Sequence, residues 1–128
     1  MSARASGSFP TEVALSALTD RRTRRVQLLV GTGAMWTWVP ADVLKRADIA
    51  PEAEARFRAL DGRVVERPYA DARIACLDRD CVSLVVFAVE GDQSTLGDHA
   101  LLCMGLEIDL ETLSLRDSGP ALALAVLA

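Results

Sequence analysis

Residues able to do chemistry are few in this sequence and scattered along it. Three cysteines (Cys76, Cys81, Cys103) and one histidine (His99) supply all its thiol and imidazole groups. An odd cysteine count in a chain of this size speaks against a disulfide framework. Cys76 and Cys81 flank Leu77-Asp78-Arg79-Asp80, so they either face each other across a hairpin or sit as small buried thiols at strand ends. No Cys and His set has metal-ligand spacing, so neither a metal nor another cofactor is expected. Ser83 and Ser94 have no base nearby in sequence, which leaves a Ser-His-Asp site unsupported, and His99 reads as a surface residue in the first turn of a helix. None of the cysteines has a recognisable nucleophile setting. Trp36 and Trp38 stand two apart in an extended run and share a side-chain direction. They line either a groove for apolar peptide side chains or a core or dimer interface. The Arg21, Arg22, Arg24 and Arg25 cluster reads as a solvated hairpin turn rather than a phosphate site. The one local feature that departs from ordinary strand chemistry is Gly31-Thr32-Gly33-Ala34, where two glycines interrupt an apolar strand and make the backbone turn or allow close approach.

The elements that must position these residues are short. The chain has 128 residues, 51% hydrophobic and 25% charged, which is one domain with enough apolar surface for a core. Its net charge of −4 argues against a general nucleic-acid binder. Thirteen of the fourteen basic residues are Arg, as a GC-rich coding bias produces. No secretory signal is visible at the N-terminus, and the C-terminal apolar run 121–128 is far shorter than the roughly 20 residues that span a bilayer. No membrane insertion by this segment and a cytoplasmic setting are therefore the expectation.

Residues 1–10 read as a disordered leader. Alternation predicts strands from Thr11, over 25–30 and 35–39, over 54–60 and 63–76, and over 81–89, the most buried of them. Asp61-Gly62 is a hairpin turn signal, and Pro68 marks an edge or a bend. Pro40 opens a short helix over 41–47 with Val43, Leu44 and Ala47 inside. Asp98 is predicted to cap a second helix with Leu101, Leu102 and Cys103 inside, stopped by Gly105. A last strand pair covers 106–109 and 112–116. Many short strands and one or two short helices make a mainly β, barrel-like domain over 11–117, followed by a tail over 118–128.

In this order, three segments resemble the retropepsin-like aspartic proteases. Leu28-Leu29-Val30-Gly31-Thr32-Gly33-Ala34, then Thr37, Val39 and Pro40 before a short helix, is similar to that family's active-site segment. Thr95-Leu96-Gly97 with Asp98-His99-Ala100-Leu101-Leu102 behind it resembles the apolar-apolar-Gly that precedes the family's helix. Gly105-Leu106-Glu107-Ile108-Asp109 resembles the strand after it, and Asp61-Gly62 falls where the family places its flap. The resemblance implies a closed barrel, a half-site completed by homodimerisation, and an extended peptide or protein substrate. It places Gly31, Thr32 and Gly33 at the catalytic loop, Ala34, Leu60, Asp61, Gly62 and Arg63 at the peptide, and Thr95, Leu96 and Gly97 as the loop's structural partner.

One departure decides the expected activity: the family's catalytic Asp falls on Gly31. Two carboxylates about 3 Å apart share a proton across the dimer axis, so that one acts as base while the other donates. A glycine supplies neither role, and a symmetric dimer loses both carboxylates at once. Asp20, Asp42 and Asp61 lie outside the loop. The sequence thus reads as an inactive protease domain, either an engineered inactive form or a natural pseudoprotease that binds peptides. The alternative is a non-catalytic β-barrel dimerisation or interaction module. The apolar tail over 121–128 is expected to help cover the dimer interface.

Overall fold

The computed structural model describes residues 7–20 and 22–119. Its elements run β1 (Phe9–Ser16), β2 (Arg24–Val30), β3 (Thr37–Pro40), α1 (Ala41–Arg46), β4 (Ala53–Arg58), β5 (Val64–Cys76), β6 (Arg79–Ala88), α2 (Asp98–Met104), β7 (Leu106–Asp109) and β8 (Ser114–Asp117). The class is mainly β with two short helices, as alternation in the sequence implies.

β5 organises the main sheet. Its first half pairs antiparallel with β4, and its second half lies between β6 and β1. Pro68, which lacks an N–H, sits one residue before β6 joins at Tyr69, where that side of the strand is still an edge. The strand path is β2-β1-β5-β6-β3, with β3 parallel to β6. The closed barrel expected from the resemblance does not form. The end strands β2 and β3 do not pair with each other, and Thr95 lies between them, pairing singly with Leu29 and with Trp38. Gly31, with φ of +84°, turns the chain out of the sheet after β2, and Thr95 then occupies the place that β2–β3 pairing would need.

Val13, Leu15, Leu28, Val30, Val39, Ile74 and Val85 project from the strands into one core, which Leu44 of α1 and Leu101 of α2 close. Val43, Leu44 and Ala47 are buried as the helix periodicity predicts. In α2 the inward set is Ala100, Leu101 and Met104, while Leu102 is 71% exposed and Cys103 is exposed. The expected inner positions Leu102 and Cys103 are thus corrected: at about 100° per residue Leu102 falls opposite the arc shared by Ala100, Leu101 and Met104, and Cys103 lies just outside that arc, on the Ala100 side. Gly97 is the N-cap and Asp98 makes no side-chain cap bond, so Asp98 does not cap this helix. Gly105 ends it in the left-handed conformation, with φ of +70°.

One boundary also moves. β1 begins at Phe9 rather than Thr11, since Phe9 is buried opposite Val30, and Ser8 is buried before it. The leader expectation therefore fails for residues 8–10, while 1–6 lie outside the described residues. Arg21 and the tail segment 121–128 also lie outside them. Cys76 and Cys81 are free thiols set diagonally, Cys76 opposite Arg79 and Cys81 opposite Ile74. Among the described residues no helix is long and apolar enough to cross a membrane.

Candidate functional site

The loop 31–36 and the segment 94–97 are built as one unit. Thr95 exchanges both backbone hydrogen bonds with Trp38, its N–H donating to Trp38 O at 3.0 Å and its carbonyl accepting from Trp38 N at 2.8 Å. On the other side Leu29 N donates to Ser94 O at 3.1 Å and Leu96 N donates to Leu29 O at 2.8 Å. Gly97 N donates to the buried Thr37 Oγ1 at 3.0 Å. A side chain at Gly97 would run into the Met35 carbonyl and the Trp36 backbone, so the close crossing of these two segments requires glycine there.

Hydroxyls tie the unit together in a directed chain. Thr95 Oγ1 donates to Leu29 O at 2.9 Å, which uses its one hydrogen. It therefore accepts from Thr32 Oγ1, 2.6 Å away, and Thr32 Oγ1 in turn accepts from Ala34 N at 3.3 Å. Each bond polarises the next, so the chain holds the loop more firmly than its members separately. Gly31 itself carries no side chain. A Cβ built on it would stand 2.7 Å from the Gly7 carbonyl oxygen and 3.3 Å from Ser8 Cα. The backbone at this position is thus one that glycine favours on two counts, φ and space.

A groove of about 640 Å³ opens beside this unit. One wall is Gly33, Ala34, Met35, Trp36 and Trp38, and the other is the β4–β5 hairpin through residues 56–61, Arg63 and Val65. Gly91, Asp92, Gln93 and Thr95 complete the lining. Both tryptophans line it, with different neighbours. Trp38 packs edge-on to Phe57 at 5.6 Å, and Trp36 packs on the His99 ring at 4.9 Å. Phe57 continues edge-on to Tyr69 at 6.4 Å, so aromatic packing joins the hairpin to β3 across the groove floor.

The hairpin tip is a three-residue loop. Gly62 N donates to Ala59 O at 2.9 Å and Gly62 takes φ of +92°, while Ala59 N donates to Arg63 O at 2.7 Å. Asp61 accepts from Arg63 N at 3.0 Å and from Arg63 Nε at 2.7 Å. The Arg63 backbone N–H is the first cause that holds the Asp61 carboxyl below its usual range. The other groove carboxylate, Asp92, takes Arg67 Nε at 2.7 Å and Nη2 at 2.9 Å, with both side chains only 17% exposed. It also accepts from Val89 N at 2.9 Å. The Arg67 guanidinium, ahead of a smaller opposing effect of burial, holds Asp92 low. This latch fastens the stalk of the hairpin to the loop at 91–94.

Of the residues singled out from the sequence, Gly33, Ala34, Leu60, Asp61, Arg63 and Thr95 meet around one groove. Gly31, Thr32, Leu96 and Gly97 lie behind its wall, and Gly62 sits at the hairpin tip. Asp20 and Asp42 are elsewhere, Asp42 pairing with Arg46 at 3.6 Å. The Arg67–Asp92 latch was not legible, because its members are 25 residues apart with no local motif. Phe57 was legible only as an inward position of an alternating strand. His99 is half-buried rather than a surface residue: its Nδ1 lies 3.2 Å from Ser83 Oγ, a hydroxyl sixteen residues away. Ser83 is 4% exposed, so the pair is not an accessible nucleophile and base. Among the described residues no three His, Cys, Asp or Glu side chains gather to hold a metal ion.

No known protein family matches this chain, and no curated protein matches it.

Proposed function

We propose that this domain is a retropepsin-like half-site that pairs with a second copy and binds extended peptides without cleaving them. The observation that carries the reading is the crossing of Thr95-Leu96-Gly97 between Leu29 and Trp38, behind the Gly31–Ala34 loop, with the β4–β5 hairpin facing that loop over a groove. That is the arrangement in which two such loops, brought together, present a shared peptide site under a pair of hairpins.

The absence of cleavage follows from Gly31 and from the state of the neighbouring carboxylates. Sharing one proton between two carboxylates needs two unpaired carboxylates in contact. Asp61 and Asp92 both line the groove, but Asp61 is paired with Arg63 and Asp92 with Arg67. Each is held ionised, and neither is placed to stand in at position 31. A peptide would instead be held by backbone pairing along the hairpin and by apolar contact with Trp36, Trp38 and Phe57.

Trp36 and Trp38 are the only tryptophans in the chain, so intrinsic fluorescence reads the groove directly. Titration with an extended-peptide library is expected to shift the emission saturably, with no peptide cleaved from acidic to neutral pH, and sedimentation is expected to show dimer at micromolar concentration. A monodisperse monomer at high micromolar concentration, together with an emission spectrum unmoved by every peptide, overturns the proposal.

A further inference from the structure

α2 lies against β6, and two of the three cysteines belong to this pair of elements, Cys81 to β6 and Cys103 to α2. Cys81 of β6 is half-buried, and its Sγ lies 3.9 Å from the Ala100 carbonyl of α2. Cys103 is three residues beyond Ala100 on the same helix and is exposed. Residues three apart share a helix face, so Cys103 reaches toward the point where Cys81 meets the helix. The Cys103 thiol is one of the groups that act on Cys81: burial first, then Cys103 and Asp80, push the Cys81 thiol up to about 11. One turn before Cys103 on the helix, the His99 ring stands with Nδ1 at 3.9 Å and Nε2 at 4.0 Å from the Cys103 sulfur. Ser83 Oγ, 3.2 Å from Nδ1, is an acceptor for an Nδ1–H, and in that tautomer Nε2 is free to take a proton.

From this cluster we infer that Cys103 and Cys81 are a redox pair: Cys103 attacks a small-molecule disulfide of the glutathione type, and Cys81 resolves the product into a disulfide that staples α2 to β6. In the first step Cys103 Sγ, its proton passing to His99 Nε2, attacks one sulfur of RS–SR. The S–S bond breaks, Cys103–S–SR forms, and the leaving RS⁻ takes the proton back from His99 Nε2 and departs as RSH. In the second step Cys81 Sγ attacks the Cys103 sulfur, and the second RS⁻ leaves carrying off the Cys81 proton as RSH. Two protein thiols are oxidised and one RSSR is reduced to two RSH. The order follows from access, since Cys103 is exposed and Cys81 sits beneath the helix. Cys76 takes no part. It is buried against Thr11 Oγ1 at 3.9 Å, away from α2, where no disulfide in solution reaches it. The ring closed by the staple contains Asp92 and Thr95, so oxidation constrains residues that line the groove.

The test treats the reduced full chain with glutathione disulfide and follows intact mass and peptide maps. The wild type is expected to lose the mass of two hydrogens, with Cys81 joined to Cys103 and Cys76 still free, and its Tm is expected to rise by several degrees. Cys81→Ser should stop at one glutathionyl group on Cys103, Cys103→Ser should remain reduced, and His99→Gln should form the adduct about ten-fold more slowly. Urea unfolding followed by far-UV circular dichroism checks that each variant folds. The wild-type map decides the matter even if a variant does not fold. A stable glutathionyl adduct that never resolves, a disulfide containing Cys76, or a wild type that stays reduced overturns the inference.

Discussion

Gly31 and Gly33 form a matched pair for measuring what the loop demands of glycine. Their φ values are +84° and +85°, so an alanine at either position meets the same left-handed backbone penalty, about 1–2 kcal/mol. Their surroundings differ. A Cβ at Gly33 has nothing within 4 Å, whereas at Gly31 it stands 2.7 Å from the Gly7 carbonyl oxygen and 3.3 Å from Ser8 Cα. Both of those atoms are backbone, and Ser8 and Phe9 are buried, so the strand entrance must move as a body; such overpacking costs about 1–3 kcal/mol. Gly33→Ala is therefore expected to lose about 1.5 kcal/mol and Gly31→Ala about 3 kcal/mol. At this size that is a fall in Tm of about 6 °C against about 12 °C, read by thermal and urea unfolding followed through the tryptophans. Gly31→Asn keeps the Cβ but tolerates the left-handed region, so it should recover about 1 kcal/mol over Gly31→Ala. Equal losses at the two glycines, within about 0.5 kcal/mol, would refute the contact with Gly7, and negligible losses at both would refute the backbone argument. The comparison bears on function because Gly31→Asp meets the same oxygen. Under the proposed function that variant gains peptidase activity with an acidic optimum, at the expense of a stability loss like that of Gly31→Asn.

Other substitutions test the rest of the unit. Asp92→Asn is expected to cost about 2 kcal/mol at neutral pH, since it leaves Arg67 half-buried without its partner. Because the Asp92 carboxyl is lowered from 3.8, its contribution is full above that value and is lost as pH falls through the native value. The wild type should therefore lose more stability than Asp92→Asn on acidification through this window, as urea midpoints at a series of pH values would reveal; parallel pH profiles would count against the latch. Gly97→Ala should lose at least about 3 kcal/mol or fail to fold, because its Cβ meets the backbone of Met35 and Trp36; a soluble protein with wild-type Tm would show that the crossing is looser than described. Thr95→Val and Thr32→Val are each expected to cost about 1–2 kcal/mol, with the double variant about 1 kcal/mol short of additive. Strict additivity would mean that the hydroxyls do not act as a chain.

Short-range chemistry made much of this protein legible from its sequence. Strand alternation located β1 to β6 to within a few residues and gave the inward side of β1 at Val13 and Leu15, because side chains on a strand must alternate between two faces. Asp61-Gly62 marked the β4–β5 turn, since Gly62 needs a positive φ, and Gly105 ended α2 for the same reason. The glycines flanking Thr32 marked where β2 breaks. The β5–β6 hairpin shows the limit of such signals: the break between strands was legible at 77–80, but not that Leu77 and Asp78 alone make the turn, with φ of +51° and +64°.

Tertiary structure decided everything that depends on partners far apart in the chain. The mainly β class follows from periodicity, but whether the sheet closes depends on what lies between β2 and β3, and that is Thr95, more than fifty residues from either. The Arg67–Asp92 latch, the Thr32–Thr95 hydroxyl pair and the Ser83–His99 contact likewise join positions 25, 63 and 16 residues apart. Local sequence sets which φ, ψ and faces a segment prefers. It does not carry the directions in which packing brings two segments together, so the groove walls, the state of the groove carboxylates and the seat of Cys81 against α2 became readable only once the chain was folded.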